Sequence, residues 1–462
     1  MIMGAVCERR MWAVTWSAAI AVVLALVLAV GLGARGSGQE AATDGSRLVS
    51  VGIGFQGQLV MGASSPGTRL DFEGTALVCP VVVSTEGTGR GGEFTVICSA
   101  ADGSVLKLAP PIMVSVAKED AGTNGAALIW IGDAAQVFRG KFQLTAGLSG
   151  SIKLLSIVEL EDYVAGVVPY EIGASSPFEA LCAQAIVART QVLTSSRRHL
   201  DDGFDVCNST HCQVYQGASR EIAYPAVRRA VEATAGEILS FNGAPATGSN
   251  YHACCGGLTE SASALWKLDV PYMHTTACRP GTDGAEAKQD SSSDDEFCDE
   301  KALVARIENP DPADYCYGAN GYRWSYTITQ SQLAMNLAPI LAARPTVVEL
   351  RVLERTPRGS ATKLAVITPS AQYEIKGEYA IRLALGGLVL IKSGVFVVRA
   401  VTEADAEIPS AFEFRGAGYG HGVGMCQYGA RKMAALGHGH YEILQHYYPG
   451  VHIEPIGDQA SQ

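Results

Sequence analysis

The sequence predicts an α+β fold, mostly β in its N-terminal and middle regions around a helical core, with one transmembrane helix ahead of it. Three observations carry this. Short alternating apolar runs broken by glycine fill residues 48–155, helical periodicity with a start signal takes over from 156, and β-type runs return over 321–405.

The chain opens with Arg9 and Arg10 ahead of a stretch from Val14 to Leu32 that carries no charge. Its length of about 19 residues suits a bilayer span. The small residues Ala29, Gly31, Gly33 and Ala34 would also suit a signal-peptide cleavage site, but the apolar run exceeds the usual core of about 7–15 residues. The reading is therefore a cytoplasmic tail over 1–13 and an uncleaved anchor over 14–33. This makes a single-pass protein of the cell membrane whose remainder lies outside the cytoplasm. Cys7 precedes the apolar run, which argues against a lipoprotein.

With 462 residues, 48% hydrophobic and 18% charged, the chain has ample material for two or three domains. A net charge of -11, with no cluster of lysine and arginine to offset it, excludes a nucleic-acid partner. Twelve cysteines, eleven of them beyond the apolar run, are numerous for a chain outside the cytoplasm unless they pair or bind metal.

In the β-rich part (48–155), candidate strands are Leu48–Ile53, Ala76–Val78, Phe94–Ile97, Val105–Leu108, Ile112–Val116 and Phe138–Leu144. Cys79 and Cys98 fall in neighbouring runs and could pair. A helical region (156–275) follows. Leu160, Val164, Val167 and Val168 share one helical face, and Pro169 ends or kinks that helix. A second helix begins with Ser176 as N-cap, Pro177 first inside and Glu179 completing a capping box. Glu171 thus sits on a short connection between two packed helices, a rigid place to hold one carboxylate.

An acidic, cysteine-containing insertion (276–320) includes the run Asp290–Glu296, read as solvated surface because its oxygen spacing fits no calcium loop. The β-rich region over 321–405 is interrupted by a helix near Gln330–Leu341, and its run from Tyr373 to Leu385 reads as strand. The last part (406–452) carries the glycine-rich run Gly416–Gly424 and two closing helices, around Tyr428–Leu436 and His440–Tyr447. Alternate glycines let backbone approach a ligand closely. No lysine followed by serine or threonine comes after them, so a phosphate loop is excluded.

Two stretches far apart resemble a known family. Leu160-Glu161-Asp162-Tyr163-Val164 leads to Glu171 and then to a helix with Ala183-Gln184-Ala185 and Ala188-Arg189-Thr190; Gly420 to Ala430 reads GHGVGMCQYGA. Both resemble the sporulation stage II protein D (SpoIID) family, and the likeness covers nearly all of Leu48 to Val451. It implies a lytic transglycosylase that cuts the glycan of peptidoglycan between N-acetylmuramic acid and N-acetylglucosamine without adding water, on strands stripped of stem peptides. The alternative is an accessory glycan-binding protein or amidase enhancer, which would make a cell-wall amidase a candidate partner.

By this resemblance Glu171 is the catalytic acid and then base, shielded by Tyr170, Ile172 and Phe178, and Gln184 and Arg189 support the cleft. Tyr251 and Thr259, in the segment Asn250–Thr259, also line the cleft, while His421, Gln427 and Tyr428 hold the sugar. Asp205–Tyr215 resembles a zinc-binding segment, with Cys207, Cys212 and His199 as ligands, His211 as an alternative that adjacency to Cys212 makes awkward, and the fourth position open; a Cys207–Cys212 disulfide is the competing reading. Zinc would order the cleft, and the chemistry itself needs no cofactor. Cys254 and Cys255 are expected to pair with distant partners among Cys278, Cys298 and Cys316. Ile172 and Gly173 stand where the family usually has methionine and proline, Gln191 where an aromatic residue is common, and Cys426 in place of serine.

Overall fold

The structure, a computed structural model, describes residues 47–457 apart from 64–67, 87–94, 118–119, 121–128, 132–135, 148–150, 196–197, 282–298 and 342–343. The expected anchor and the acidic run Asp290–Glu296 lie outside the described residues, as does Cys298. Among the described residues no helix is long and apolar enough to cross a membrane.

Two sheets form the β-rich N-terminal part. A seven-stranded sheet runs in the order Val206–Cys207, Leu48–Gln56, Ile152–Glu159, Lys141–Ala146, Ile112–Val116, Arg69–Phe72 and Thr75–Val78. A six-stranded sheet contains Gln136–Phe138, Ile129–Ile131, Leu59–Ala63, Val81–Glu86, Thr95–Ala100 and Val105–Leu108. Alternating residues such as Ile112, Val114 and Val116 point into the core, the pattern of half-buried strands. The single run expected over Phe138–Leu144 is two strands in different sheets. Gly140 at φ 84° turns the chain between them, and a Cβ there would lie 2.3 Å from the Ile157 carbonyl oxygen.

Strand Ile152–Glu159 runs directly into helix α1 (Leu160–Val168), which passes at Pro169 into a π-helical turn, Pro169–Gly173. Helix α2 (Phe178–Ser195) packs across α1, with Ala180 to Val192 buried. The expected capping box does not form. Ser176 instead donates its hydroxyl to the Ile172 carbonyl (2.7 Å), and Glu179 accepts from the backbone and ring of His440 (2.9 and 2.7 Å), tying α2 to the C-terminus.

Arg189 is fully buried and grips Glu161 with two nitrogens (2.8 and 2.6 Å) while donating to the Glu237 carbonyl (2.9 Å). It therefore joins α2 to α1 and to strand Glu237–Phe241. Short helices α3 (Ser219–Ala223) and α4 (Pro225–Ala233) complete this layer, and α5 (Ala262–Trp266) follows.

A second apolar core lies between the sheets Trp324–Thr329, Ala411–Gly416, Phe396–Val401 and Glu349–Arg355, Ala361–Ile367, Gln372–Lys376. Helices α6 (Glu300–Glu308), α7 (Gln330–Leu341) and α8 (Glu378–Leu385) belong to this half. Residues 378–385, expected as strand, are helical because Gly377 at φ 91° breaks the extended run and Leu385, Ala384 and Ile381 then meet one core. Helices α9 (Gln427–Ala435) and α10 (His440–Tyr447) close the chain as expected.

Arg189→Ala should lower the free energy of unfolding by about 3 kcal/mol, because it empties a fully buried site and removes the donor from the half-buried Glu161 and from the Glu237 and Val231 carbonyls. Denaturant titration checks this; an unchanged midpoint contradicts the account of the α1–α2 joint.

Candidate functional site

A cleft of about 880 Å³ is lined by Glu171, Gln191, Tyr251, Trp266, Gly420 and His421, with Arg198, Thr210, His211 and Cys212 along one rim. Glu171 sits on the π-helical turn, where an extra residue bulges the helix and redirects its side chain. The opposite wall arrives by a parallel pairing of Tyr251–His252 with Met425–Cys426, which puts two distant segments side by side.

The carboxylate of Glu171 accepts the Val214 N–H (2.7 Å) and further hydrogen bonds from Tyr251 and Gln427. Burial is the larger influence and raises its pKa above the ordinary glutamate value, despite those three donors. A chain of buried groups stands behind it. The Tyr163 hydroxyl donates to Gln213 Oε1 (2.9 Å), and Gln213 Nε2 reaches the Tyr251 hydroxyl (3.2 Å). Gln427 Nε2 donates to Gln184 Oε1 (3.2 Å), so Gln184 acts on the carboxylate through Gln427.

The shielding differs from expectation. Ile172 is buried, but Phe178 is 42% exposed and Tyr170 stacks under Arg220 at 4.5 Å; Tyr251, Gln427 and the Val214 backbone surround the carboxylate instead.

His421 is held on the wall by the Val423 N–H, which donates to Nδ1 (3.0 Å), and packs against Trp266 (5.0 Å) and His252 (5.7 Å). Burial first, and the nearby His252 and Arg382, push its pKa well below the usual histidine value. The imidazole is neutral, and with Nδ1 accepting it carries its proton on Nε2.

Three expected residues stand elsewhere. Arg189 is sealed in the α1–α2 joint, Thr259 is buried with its hydroxyl on the His274 and Thr276 carbonyls, and Tyr428 lines a separate shallow depression beside Arg431 and Tyr315. The alternate glycines mainly serve close packing rather than ligand approach. A Cβ on Gly422 would fall 2.0 Å from Arg358, and one on Gly424 2.0 Å from the Asn250 carbonyl; only Gly420 of that run lines the cleft.

Sequence reasoning missed Trp266, Gln191 and Gln213. Trp266 closes α5, whose N-cap Ser261 accepts from the Ala264 N–H, a start signal present in the sequence. It offers a half-buried ring to the cleft.

His199, Cys207, His211 and Cys212 place one ligand atom each within 4.8 Å of one another. His211, thought awkward beside Cys212, supplies the fourth donor: its Nδ1 lies 3.8 Å from Cys207 Sγ, 3.5 Å from Cys212 Sγ and 3.3 Å from His199 Nε2. His199 Nδ1 bonds to Asp202 (2.8 Å), leaving Nε2 free to face the cluster, as the carboxylate–histidine pairs of metal centres do. The donor set fits a tetrahedral ion, with four protein ligands rather than three and an open position. The ten described cysteines are free thiols, so the pairings expected for Cys79 with Cys98, for Cys207 with Cys212, and for Cys254 and Cys255 are not formed.

A sequence model of the family described as "Stage II sporulation protein" (SpoIID) matches residues 149–241, and a domain of unknown function (DUF8618) matches 262–424. An uncharacterised protein of Brachyspira hyodysenteriae is 30% identical over 298 residues, covering 64% of this chain and 67% of that protein. The amidase enhancer of Bacillus subtilis is 28% identical over 62% of this chain, which spans only 39% of its length. Stage II sporulation protein D of Bacillus subtilis is 28% identical over 64% of this chain and 74% of its own.

Because the folded pKa of Glu171 is raised, its neutral form is the one the fold tolerates, and stability falls as pH rises through that value. Glu171→Gln cannot ionise. Its unfolding midpoint should therefore gain on the parent as pH rises through and above the ordinary glutamate range, and lose that advantage in acid. A constant offset at every pH would contradict the raised pKa.

Proposed function

Since the chain belongs to the SpoIID family, we propose that it remodels the cell wall as a peptidoglycan lytic transglycosylase, with Glu171 as sole acid and base. The observation that carries this is one buried carboxyl group, its pKa raised by burial, in a cleft large enough for sugar rings; the other carboxylate of the lining, Asp269, is exposed. Hydrolytic glycosidases use two carboxylates, one of them to attack or to activate water. Transglycosylation needs only one, because the 6-hydroxyl of the N-acetylmuramic acid ring is the nucleophile.

Neutral Glu171 gives its proton to the glycosidic oxygen as the bond to the anomeric carbon breaks. The carboxylate thus formed is stabilised by the Val214 N–H, Tyr251 and Gln427. It then takes the proton of the 6-hydroxyl as that oxygen closes on the anomeric carbon. The product is a 1,6-anhydro end, and the carboxyl is protonated again. Trp266 offers a face for a sugar ring, and neutral His421, its ring bonded to the Tyr251 backbone, packs beside it at the wall.

His199, Cys207, His211 and Cys212 would hold zinc, which with four protein ligands supplies structural rather than Lewis-acid chemistry. Their segment leads straight to Val214, so ordering it places the N–H that meets Glu171. In the same reading, residues 14–33 anchor the chain in the cell membrane and the remainder lies outside the cytoplasm.

The amidase enhancer relative favours a second reading, a glycan-binding accessory that lost turnover. Denuded glycan incubated with the full chain separates the two. Turnover leaves 1,6-anhydromuramic ends visible by mass, and Glu171→Gln should reduce them by at least about 1000-fold while still binding glycan. Binding without any such ends from the parent chain would establish the accessory role. Tyr251→Phe removes a bond that favours the carboxylate, so the basic limb of its kcat/KM profile should move to higher pH; a limb that stays in place or moves down contradicts Glu171 as the acid. Trp266→Ala should raise KM several-fold and leave kcat nearly unchanged if the ring is a sugar platform.

A further inference from the structure

Four cysteines that the cleft does not use meet in the interior. Cys255, Cys278, Cys316 and Cys426 are at most 1% exposed, and their sulfurs all lie within 4.8 Å of one another. They come from four separate segments, including the one that carries Tyr251 and the one that begins α9.

The spacing suits a shared ion rather than covalent pairs. Cys255 and Cys316 stand 3.5 Å apart between sulfurs, against about 2.05 Å in a disulfide. Four thiolates at about 2.3 Å around a tetrahedral ion are separated by about 3.8 Å. The surroundings are donors. The Cys255 and Gly429 N–H groups point at Cys426 Sγ (3.3 and 3.4 Å), and the Tyr447 hydroxyl lies 3.2 Å from Cys278 Sγ. Cys426 is also the N-cap of α9, whose positive end favours a thiolate.

Guanidinium groups crowd the same turn. Arg358 donates to the Cys255 carbonyl (2.5 Å) and Arg323 to that of Gly256 (3.0 Å), with Arg306 alongside them; of the acids nearby, Asp314 pairs with Arg279 (3.0 Å) and Glu378 interacts with Arg358. Four neutral thiols offer this cluster no charge, whereas four thiolates around a divalent ion leave a formal double negative charge.

The geometry points to a tetrathiolate site in which Cys255, Cys278, Cys316 and Cys426 bind one divalent thiophilic cation of the zinc class, separate from the cluster at His199. Binding releases four protons, one from each thiol, and forms four metal–sulfur bonds with no change of oxidation state. No ligand position is left open, so the ion is structural. It fastens the Met425–Cys426 strand to the Tyr251–Cys255 segment, from which Gln427 and Tyr251 reach Glu171. Cys254 lies beside Cys316 and Cys426 but is not one of the four.

The test is made on the full chain carrying Cys207→Ser and Cys212→Ser, which removes the other candidate centre, and reads metal content rather than activity. Elemental analysis should give one zinc per chain, unchanged by Cys254→Ser and lost on adding Cys316→Ser. To keep a folding defect from imitating metal loss, cobalt(II) is loaded into the folded Cys207→Ser/Cys212→Ser chain, where it should show the intense thiolate charge-transfer bands of four-sulfur coordination. Alkylation under denaturing conditions without reductant should find all four thiols free once the metal is removed. Two disulfides among the four, four thiols with no metal, or a cobalt spectrum lacking full sulfur coordination would each overturn the proposal.

Discussion

Two pairs of residues in a parallel ladder, Tyr251 beside Met425 and His252 beside Cys426, hold the cleft together. So short a ladder contributes little alone, and neighbouring bonds extend it. Cys254 and Tyr419 exchange backbone hydrogen bonds (3.0 and 2.7 Å), Glu260 N–H reaches the Gly422 carbonyl (2.8 Å), and the Tyr448 hydroxyl bridges the Asn250 carbonyl and the Met425 N–H (2.5 and 3.1 Å). Through this seam the glycine-rich run faces a carboxylate some 250 residues earlier in the chain. The absence of a Cβ at Gly422 and Gly424 is what permits the approach.

The chemistry of that carboxylate is a contest between burial and donors. Hydrogen bonds from Val214, Tyr251 and Gln427 favour the ion. Desolvation is larger and shifts the balance toward the neutral acid. A group balanced in this way can give a proton and take one back, since its charged form already has partners waiting. The neutral state of His421 across the cleft matters for the same reason: an imidazolium there would draw the carboxyl toward its charged form.

Local signals were legible in the sequence wherever one segment decided its own structure. The alternation over Ile112–Val116, the helix faces from Leu160 and the glycine stop after α9 all reappear. Where partners come from far away, pattern reading failed. Arg189 sits two turns along the helix from Leu181, yet its role is set by Glu161 and the Glu237 carbonyl. The capping box at Ser176 was a sound local signal, overridden because Ile172 and His440 offered both side chains better partners. His211 was an awkward alternative beside Cys212, but the turn over 209–212 brings Nδ1 within reach of both sulfurs. Helix α8 was hidden because its β-branched and aromatic residues carry a strand signal that only the second core overrules.

The central claim is that one buried carboxyl breaks a glycosidic bond and closes the ring without water. The most direct measurement is turnover of denuded glycan in water enriched in oxygen-18, with the new ends read by mass. The account predicts 1,6-anhydro ends containing no label. Labelled reducing ends would show that water is the nucleophile, and with that result a single-carboxyl mechanism at Glu171 could not stand.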